Sequence, residues 1–268
     1  MHQVDTWRFG LTRNGSEKLT SPSSRFTRLR FGLFLSTEYF NLSATISIII
    51  PVLNESANIE KTFSFARNIA DEVIIVDGGS TDGTRELLES LDCIVCHSAR
   101  GRGQQLFAGS ELATGDLLLF LHADTWLASD ARAQILNVWQ SVSDEQRASV
   151  CGCFEQEIDG AGFVYRLIEK GNLWRAKYQQ LPYGDQGMFV SRELYDSVGG
   201  MPQISLMEDF EFARLISERG ELKVLPGPIH VDVRRWHRVG PIRQTLRNWS
   251  LAMRYRLGAN PEKLLKKY

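Results

Sequence analysis

Ile46-Ser47-Ile48-Ile49-Ile50-Pro51-Val52-Leu53-Asn54-Glu55 is the stretch whose reading decides the fold class. Its β-branched run, bounded by Pro and Asn, predicts a buried strand over 46–52. A helical pattern follows through Ile59, Phe63 and Phe65 and ends before Asp71. Glu72-Val73-Ile74-Ile75-Val76-Asp77 then reads as a second buried strand. Gly78-Gly79 stops it, and a Ser80-Thr81-Asp82-Gly83 turn opens another helix with Asp82 as its N-cap. A third strand, Cys93 to His97, leads through a Gly-rich loop into a helix from about Gln104. A fourth, Asp116 to Leu121, ends in His122-Ala123-Asp124. Strands alternating with short helices predict an α/β fold with a Rossmann-like, open, twisted, mostly parallel sheet flanked by helices. In such sheets ligands bind outside the carboxyl ends of the strands. Polar residues stand at those ends as Asn54-Glu55, Asp77 and His122-Asp124.

Outward from this core the pattern loosens into a helix, a β region near 150–158, and helical segments near 165–178 and 207–219. Residues 1–42 mix Arg, Ser and Thr with scattered aromatics and read as a poorly ordered extension. Residues 43–240 read as the catalytic domain and 241–268 as a basic helical segment packed on it. In that last segment Ile242, Leu246, Trp249 and Met253 recur at helical spacing, flanked by Arg243, Arg247 and Arg254. Two readings of it stay open: a helix docked on the domain with a basic edge, or a contact with a membrane surface or polyprenyl phosphate.

The chain has 268 residues, 43% hydrophobic and 24% charged, which excludes disordered and fibrous classes. Its net charge of -1 gives no global attraction to nucleic acid. No apolar run reaches the ~20 residues that span a bilayer. Cys93 and Cys96 fall on opposite faces of a strand, which disfavours a shared zinc, so Cys93, Cys96, Cys151 and Cys153 read as reduced core residues of a cytoplasmic protein, peripheral on the inner membrane face if it meets a membrane at all.

Several motifs have chemical meaning. Arg100-Gly101-Arg102-Gly103-Gln104 precedes a helix, where backbone N–H groups and the helix dipole attract anions. Leu106 stands where a dinucleotide fingerprint needs its third Gly, so that reading fails. Arg100 is the expected donor contact and Arg102 is expected to face solvent. Asp77 suits a base or ribose edge, or else caps its own turn.

Taken together, Ile50-Pro51-Val52-Leu53-Asn54-Glu55, Val76-Asp77-Gly78-Gly79-Ser80-Thr81-Asp82-Gly83-Thr84, Leu121-His122-Ala123-Asp124-Thr125 and Met207-Glu208-Asp209 resemble, in content and order, the inverting glycosyltransferases of family 2. The resemblance covers about 46–240 and implies the GT-A type of α/β fold. Gly184-Asp185-Gln186-Gly187 and Arg234-Arg235-Trp236 look similar to a small bacterial branch named for arsenosugar biosynthesis. The resemblance implies a nucleotide-sugar donor, a UDP-sugar, bound by Pro51, Asn54, Glu55, Asp77, Arg100, Ala123, Asp124, Arg235 and Trp236. It implies Mn²⁺ or Mg²⁺ at Asp124. His122, which replaces the first Asp of the family's Asp-x-Asp, is the second candidate ligand. Asp209 is the implied catalytic base, with Asp185, Gln186 and Glu208 on the side of an acceptor that the resemblance leaves unidentified, a lipid-linked one among the alternatives. A nucleotidyltransferase would show a Gly-rich basic signature after Ile50, and none is there. A non-catalytic nucleotide-sugar binder would keep Asp77 without needing Glu208-Asp209.

Overall fold

The structure, a computed structural model, describes residues 43–265, apart from the side chains of Arg235, His237 and Arg238. The predicted extension over 1–42 lies outside the described residues. The first half runs β1 (Ile46–Val52), α1 (Ile59–Ala66), β2 (Glu72–Asp77), α2 (Thr84–Leu88), β3 (Ile94–His97), α3 (Arg102–Leu112) and β4 (Leu117–Phe120). It continues through β5 (Thr125–Leu127), α4 (Ala131–Gln140), α5 (Asp144–Arg147), β6 (Cys151–Ile158), α6 (Phe163–Gln179) and a 3₁₀ turn at Gly184–Gln186. Then come β7 (Met188–Ser191), α7 (Arg192–Ser197), α8 (Glu208–Ser217), β8 (Lys223–Val231), α9 (Arg234–Val239), α10 (Pro241–Arg256) and α11 (Pro261–Leu265).

The strands form one sheet ordered β3-β2-β1-β4-β7-β6-β8-β5. β1 pairs in parallel with β2 and β4, and β2 with β3. This half is the predicted parallel sheet. The continuous apolar character of β1 follows from burial on both faces: Ile46, Ile48 and Ile50 enter one core layer with Phe63 of α1, and Ile49 enters the other with Leu106 of α3 and Phe212 of α8. Gly109 lets α3 lie this close, because a Cβ there would stand 2.6 Å from Ile49 Cγ2 and 2.8 Å from Val76 Cγ2.

Beyond β4 the sheet becomes mixed. β7 runs antiparallel to β4 and β6, β8 parallel to β6, and β5 antiparallel to β8. β5, β7 and β8 were not predicted. β8 contains Pro226-Gly227-Pro228, which breaks strand periodicity, and the register of its pairing shifts between Phe154 and Gln156. The four cysteines are free, and burial pushes the Cys93 thiol up to about 11.

α10 is anchored on the domain: Tyr255 Oη donates to Glu211 Oε2 at 3.0 Å and its ring meets Phe210 edge-on. Its buried residues are Gln244 and Leu251, while Ile242, Leu246, Trp249 and Met253 are exposed. The apolar stripe therefore points away from the protein.

Candidate active site

The carboxyl ends of β1 and β4 converge on a cleft of about 270 Å³, lined by Pro51, Glu55, Arg100, Ala123 and Asp124, together with Arg102, Gln105, His122, Ser205 and Glu208. Backbone bonding holds the His122-Ala123-Asp124 turn rigid. Thr125 N–H and Oγ1 both donate to His122 O, Thr62 Oγ1 donates to Ala123 O at 2.7 Å, and Asp232 N–H donates to Asp124 O at 3.1 Å. Gln105 is buried and its Nε2 donates to Val52 O and Val76 O, both at 2.8 Å, which ties the ends of β1 and β2 together.

Asn54 and Asp77 lie outside the cleft lining, in the turns that follow β1 and β2. Asn54 takes a left-handed conformation (φ 57°), its N–H donates to Ser80 Oγ at 2.9 Å, and its Oδ1 accepts from Thr81 N–H at 2.8 Å. Asp77 is fully buried and accepts from Ser80 N–H, Gly79 N–H and Arg85 Nε. Burial raises its carboxyl, but the hydrogen bonds from Ser80, Arg85 and Gly79 outweigh that and hold it at about 2. Asp82 accepts from Thr84 N–H and Ser56 N–H, a turn role, although the N-cap position itself is Gly83.

A second pocket opens from the cleft and is lined by Tyr183, Asp185 and Asp209, with Arg102, His122, Leu206 and Glu208 common to both cavities. Asp209 sits in the first turn of α8, which follows Met207 in a left-handed conformation (φ 70°). Its Oδ2 accepts from Gly184 N–H at 2.8 Å and its Oδ1 from Phe210 N–H at 2.7 Å. Gly184 leaves room for the pair facing it: a Cβ there would lie 2.7 Å from His122 Nε2 and 3.3 Å from Asp209 Oδ2. The imidazole thus stands at the junction of the two cavities and beside the carboxylate.

Sequence reasoning missed three residues here. Arg102, expected to face solvent, instead pairs through Nη1 with Glu208 Oε1 at 3.1 Å and lines both cavities. Glu208 is almost completely buried; burial raises its carboxyl, Arg102 pulls it back, and Asp209 pushes it up again, with the net direction upward. Ser205 Oγ is enclosed without a hydrogen-bond partner among the described residues while its residue lines the cleft, and only its position before α8 hinted at this. Arg175 of α6 is buried beneath the pocket. It donates to Leu181 O at 2.7 Å and Gln186 Oε1 at 3.0 Å, and its Cζ lies 3.3 Å from the centre of the Tyr183 ring.

Gln186, expected on the acceptor side, does not reach the pocket. It is fully buried, with Oε1 accepting from Arg175 and from Tyr183 N–H. Trp236 packs edge-on against Tyr165 at 6.2 Å in a small cluster with Ile158 and Val231, and takes no part in lining the cleft. The side chain of Arg235 lies outside the described residues. Its neighbour Arg234 reaches Glu55 Oε2 at 3.5 Å.

The family model described as "Glycosyl transferase family 2" matches residues 47–199, which run from β1 through α7 and include most of the residues that line the cleft. The chain belongs to glycosyl transferase family 2. Among relatives, an uncharacterized glycosyltransferase of Rickettsia bellii is 36% identical over 107 residues, 39% of this chain and 36% of that protein. The undecaprenyl-phosphate 4-deoxy-4-formamido-L-arabinose transferase of Aeromonas hydrophila is 33% identical over 93 residues, 30% of this chain and 28% of that protein. The matched part of the chain therefore spans about a third of the length of these family 2 relatives. S. aureus TarS 1-349 shares the fold with a TM-score of 0.56 at 17% identity, covering 70% of this chain and 60% of that one. The mannosyltransferase PcManGT of Pyrobaculum calidifontis, solved with GDP-Man and Mn²⁺, has a TM-score of 0.50 at 21% identity over 68% of this chain and 55% of that one. The fold is thus the predicted GT-A arrangement.

In this family 2 chain, no cluster of three or more His, Cys, Asp or Glu side chains suited to a metal occurs among the described residues. Asp124 and His122 nonetheless line one cleft with Arg100 and Arg102. A carboxylate and an imidazole, completed by phosphate oxygens of a donor, form a donor set that fits Mg²⁺ or Mn²⁺.

Proposed function

We propose that the chain transfers a sugar with inversion from a nucleotide-sugar, specifically a UDP-sugar, to an acceptor hydroxyl, with residues 43–240 as the catalytic unit. One observation supports this above the others: a basic, carboxylate-bearing cleft at the strand ends opens past His122 into a pocket that presents Asp209. The donor diphosphate lies in the cleft against Arg100, Arg102 and Ser205, with Asp77 and Asn54 shaping the rim where the base enters. Asp124 would hold a divalent cation, with His122 as the second protein ligand. A bound cation supplies positive charge to a diphosphate leaving group. Asp209 Oδ2 takes the proton of the acceptor hydroxyl as that oxygen attacks the anomeric carbon. Gly184 N–H steadies the carboxylate during this step. Asp185 meets the acceptor, while Glu208 keeps Arg102 aimed across both cavities.

The narrower likeness to the branch named for arsenosugar biosynthesis rests on residues 184–187 and 234–236, where Gln186 and Trp236 are buried, so the substrate is inferred from the cavities instead. PcManGT, which shares the fold and was solved with GDP-Man and Mn²⁺, is in keeping with a nucleotide-sugar donor and a metal. Donor hydrolysis across a panel of nucleotide-sugars, with and without Mn²⁺, tests the reading. UDP-sugars should turn over with metal, Asp124→Ala should abolish the metal dependence, and Asp209→Asn should lower kcat by about 10² to 10⁴ at little cost in donor affinity. A folded Asp209→Asn protein with parental kcat would remove Asp209 from the mechanism. Binding of a donor without any turnover would favour a non-catalytic nucleotide-sugar binder, and turnover of nucleoside triphosphates a nucleotidyltransferase.

A further inference from the structure

α10 has a face that the catalytic fold does not use. Ile242, Leu246, Trp249, Met253 and Leu257 are each more than half exposed. At about 100° per residue they form one stripe, and the buried Gln244 and Leu251 lie roughly half a turn away on the opposite side. α6 repeats the design: Phe163, Leu167, Trp174 and Tyr178 are all more than half exposed, and Tyr165, Asn172 and Ala176 are buried behind them. The two helices pack side by side, with Arg256 Nη2 donating to Gln179 Oε1 at 3.3 Å. Their stripes meet where Trp174 from one helix and Trp249 and Met253 from the other line a common groove. Nine large apolar side chains so placed form a patch, whereas exposed apolar residues on a soluble surface are ordinarily scattered.

Charge decides the occupant. Arg243, Arg247, Arg254 and Arg256 lie on α10, and Pro241–Arg256 contains no acidic residue. Lys170 and Lys177 are exposed on α6 beside its stripe, where the sole acid, Glu169, is paired with Arg166 at 3.0 Å. A two-fold contact between copies of this chain would set the α10 arginines against one another with no acid on the helix to neutralise them. An anionic bilayer neutralises them instead, at about 1 kcal/mol for each basic residue near the surface, while Trp and Tyr suit the headgroup level. The groove also leads inward, because Tyr183 lines both it and the pocket of Asp209.

We infer that the α6 and α10 stripes seat the protein on an anionic membrane surface and that the acceptor is a membrane lipid whose headgroup reaches Asp209 past Tyr183. The lipid acceptor rests on the transferase reading above; the membrane seat does not. Co-sedimentation of the full chain with vesicles tests the seat. The chain should pellet with vesicles of phosphatidylcholine and phosphatidylglycerol, remain in solution with phosphatidylcholine alone, and be released by salt. Ile242→Glu combined with Leu246→Glu, both exposed and outside the lining of the groove, should weaken vesicle binding about tenfold or more. The same double variant should hydrolyse donor at the parental rate. Equal pelleting of parent and variant, or no pelleting of the parent, overturns the proposal. So does a parental dimer that the double variant converts to monomer, which would make the face a self-interface. Vesicle binding in a chain that hydrolyses no nucleotide-sugar would overturn the transferase reading and the lipid acceptor while leaving the seat intact.

Discussion

Gly184→Ala adds one methyl group where His122 and Asp209 crowd the backbone. The backbone tolerates alanine, because Gly184 is not among the glycines with positive φ. The added Cβ would lie 2.7 Å from His122 Nε2 and 3.3 Å from Asp209 Cβ and Oδ2. A comfortable carbon contact needs about 3.5 Å or more, so the imidazole must retreat by several tenths of an ångström to about 1 Å. Asp209 has less room to move, because Gly184 N–H and Phe210 N–H hold both of its oxygens. Overpacking of this kind costs about 1–3 kcal/mol of stability, whereas misplacing catalytic groups by about 1 Å costs about 10² in rate. Gly184→Ala is therefore expected to stay folded and to lose about 10² in kcat, measured as donor hydrolysis with water in the acceptor's place. In a His122→Ala background the methyl group has space, and the same substitution should cost little further. Full additivity in that double-variant cycle, or parental kcat in the folded single variant, would refute the geometry from which the site is built.

Arg102→Ala leaves Glu208 buried without its cation and should destabilise the fold by about 3 kcal/mol at neutral pH, read by urea denaturation. Adding Glu208→Gln should restore most of that loss, and lowering the pH should shrink it in the single variant, because burial already raises the Glu208 carboxyl and makes it easier to protonate. Asp77 works in the opposite sense. Its folded value of about 2 lies below the ordinary 3.8, so its contribution is fully present above that range and is lost as pH falls toward about 2. Acid unfolding of Asp77→Asn should lack this component, worth about 1–2 kcal/mol after allowance for solvent screening.

The parallel half of the fold was legible because each strand and helix there is defined by neighbours in sequence. Ile46–Val52 and Glu72–Asp77 appear with the predicted limits, since strands buried on both faces are long apolar runs and their ends carry the Gly and Asn that turn the chain. In the mixed half β6 and the two long helices were legible, near 150–158, 165–178 and 207–219, and the remaining strands were not. β5 has three residues, β7 has four, and β8 carries two prolines, so none shows a period long enough to read. The same division separates the site residues. Asp124 and Arg100 stand at the ends of readable strands or loops, and the cleft contains them. Arg102, Ser205 and Arg175 escaped because their roles depend on contacts across the chain, as in the pairing of Arg102 with a glutamate 106 positions away. Gln186 and Trp236 are absent from the lining of both cavities for the converse reason: a polar or aromatic residue inside a suggestive motif looks the same in sequence whether it lines a pocket or supports the wall behind it. Burial separates the two cases, because Gln186 is fully buried and its side-chain oxygen accepts from Arg175 and Tyr183 N–H. The arginine that fills it also stacks under Tyr183, so the wall that displaces Gln186 from the substrate is the wall that positions the tyrosine shared by the catalytic pocket and the exposed groove.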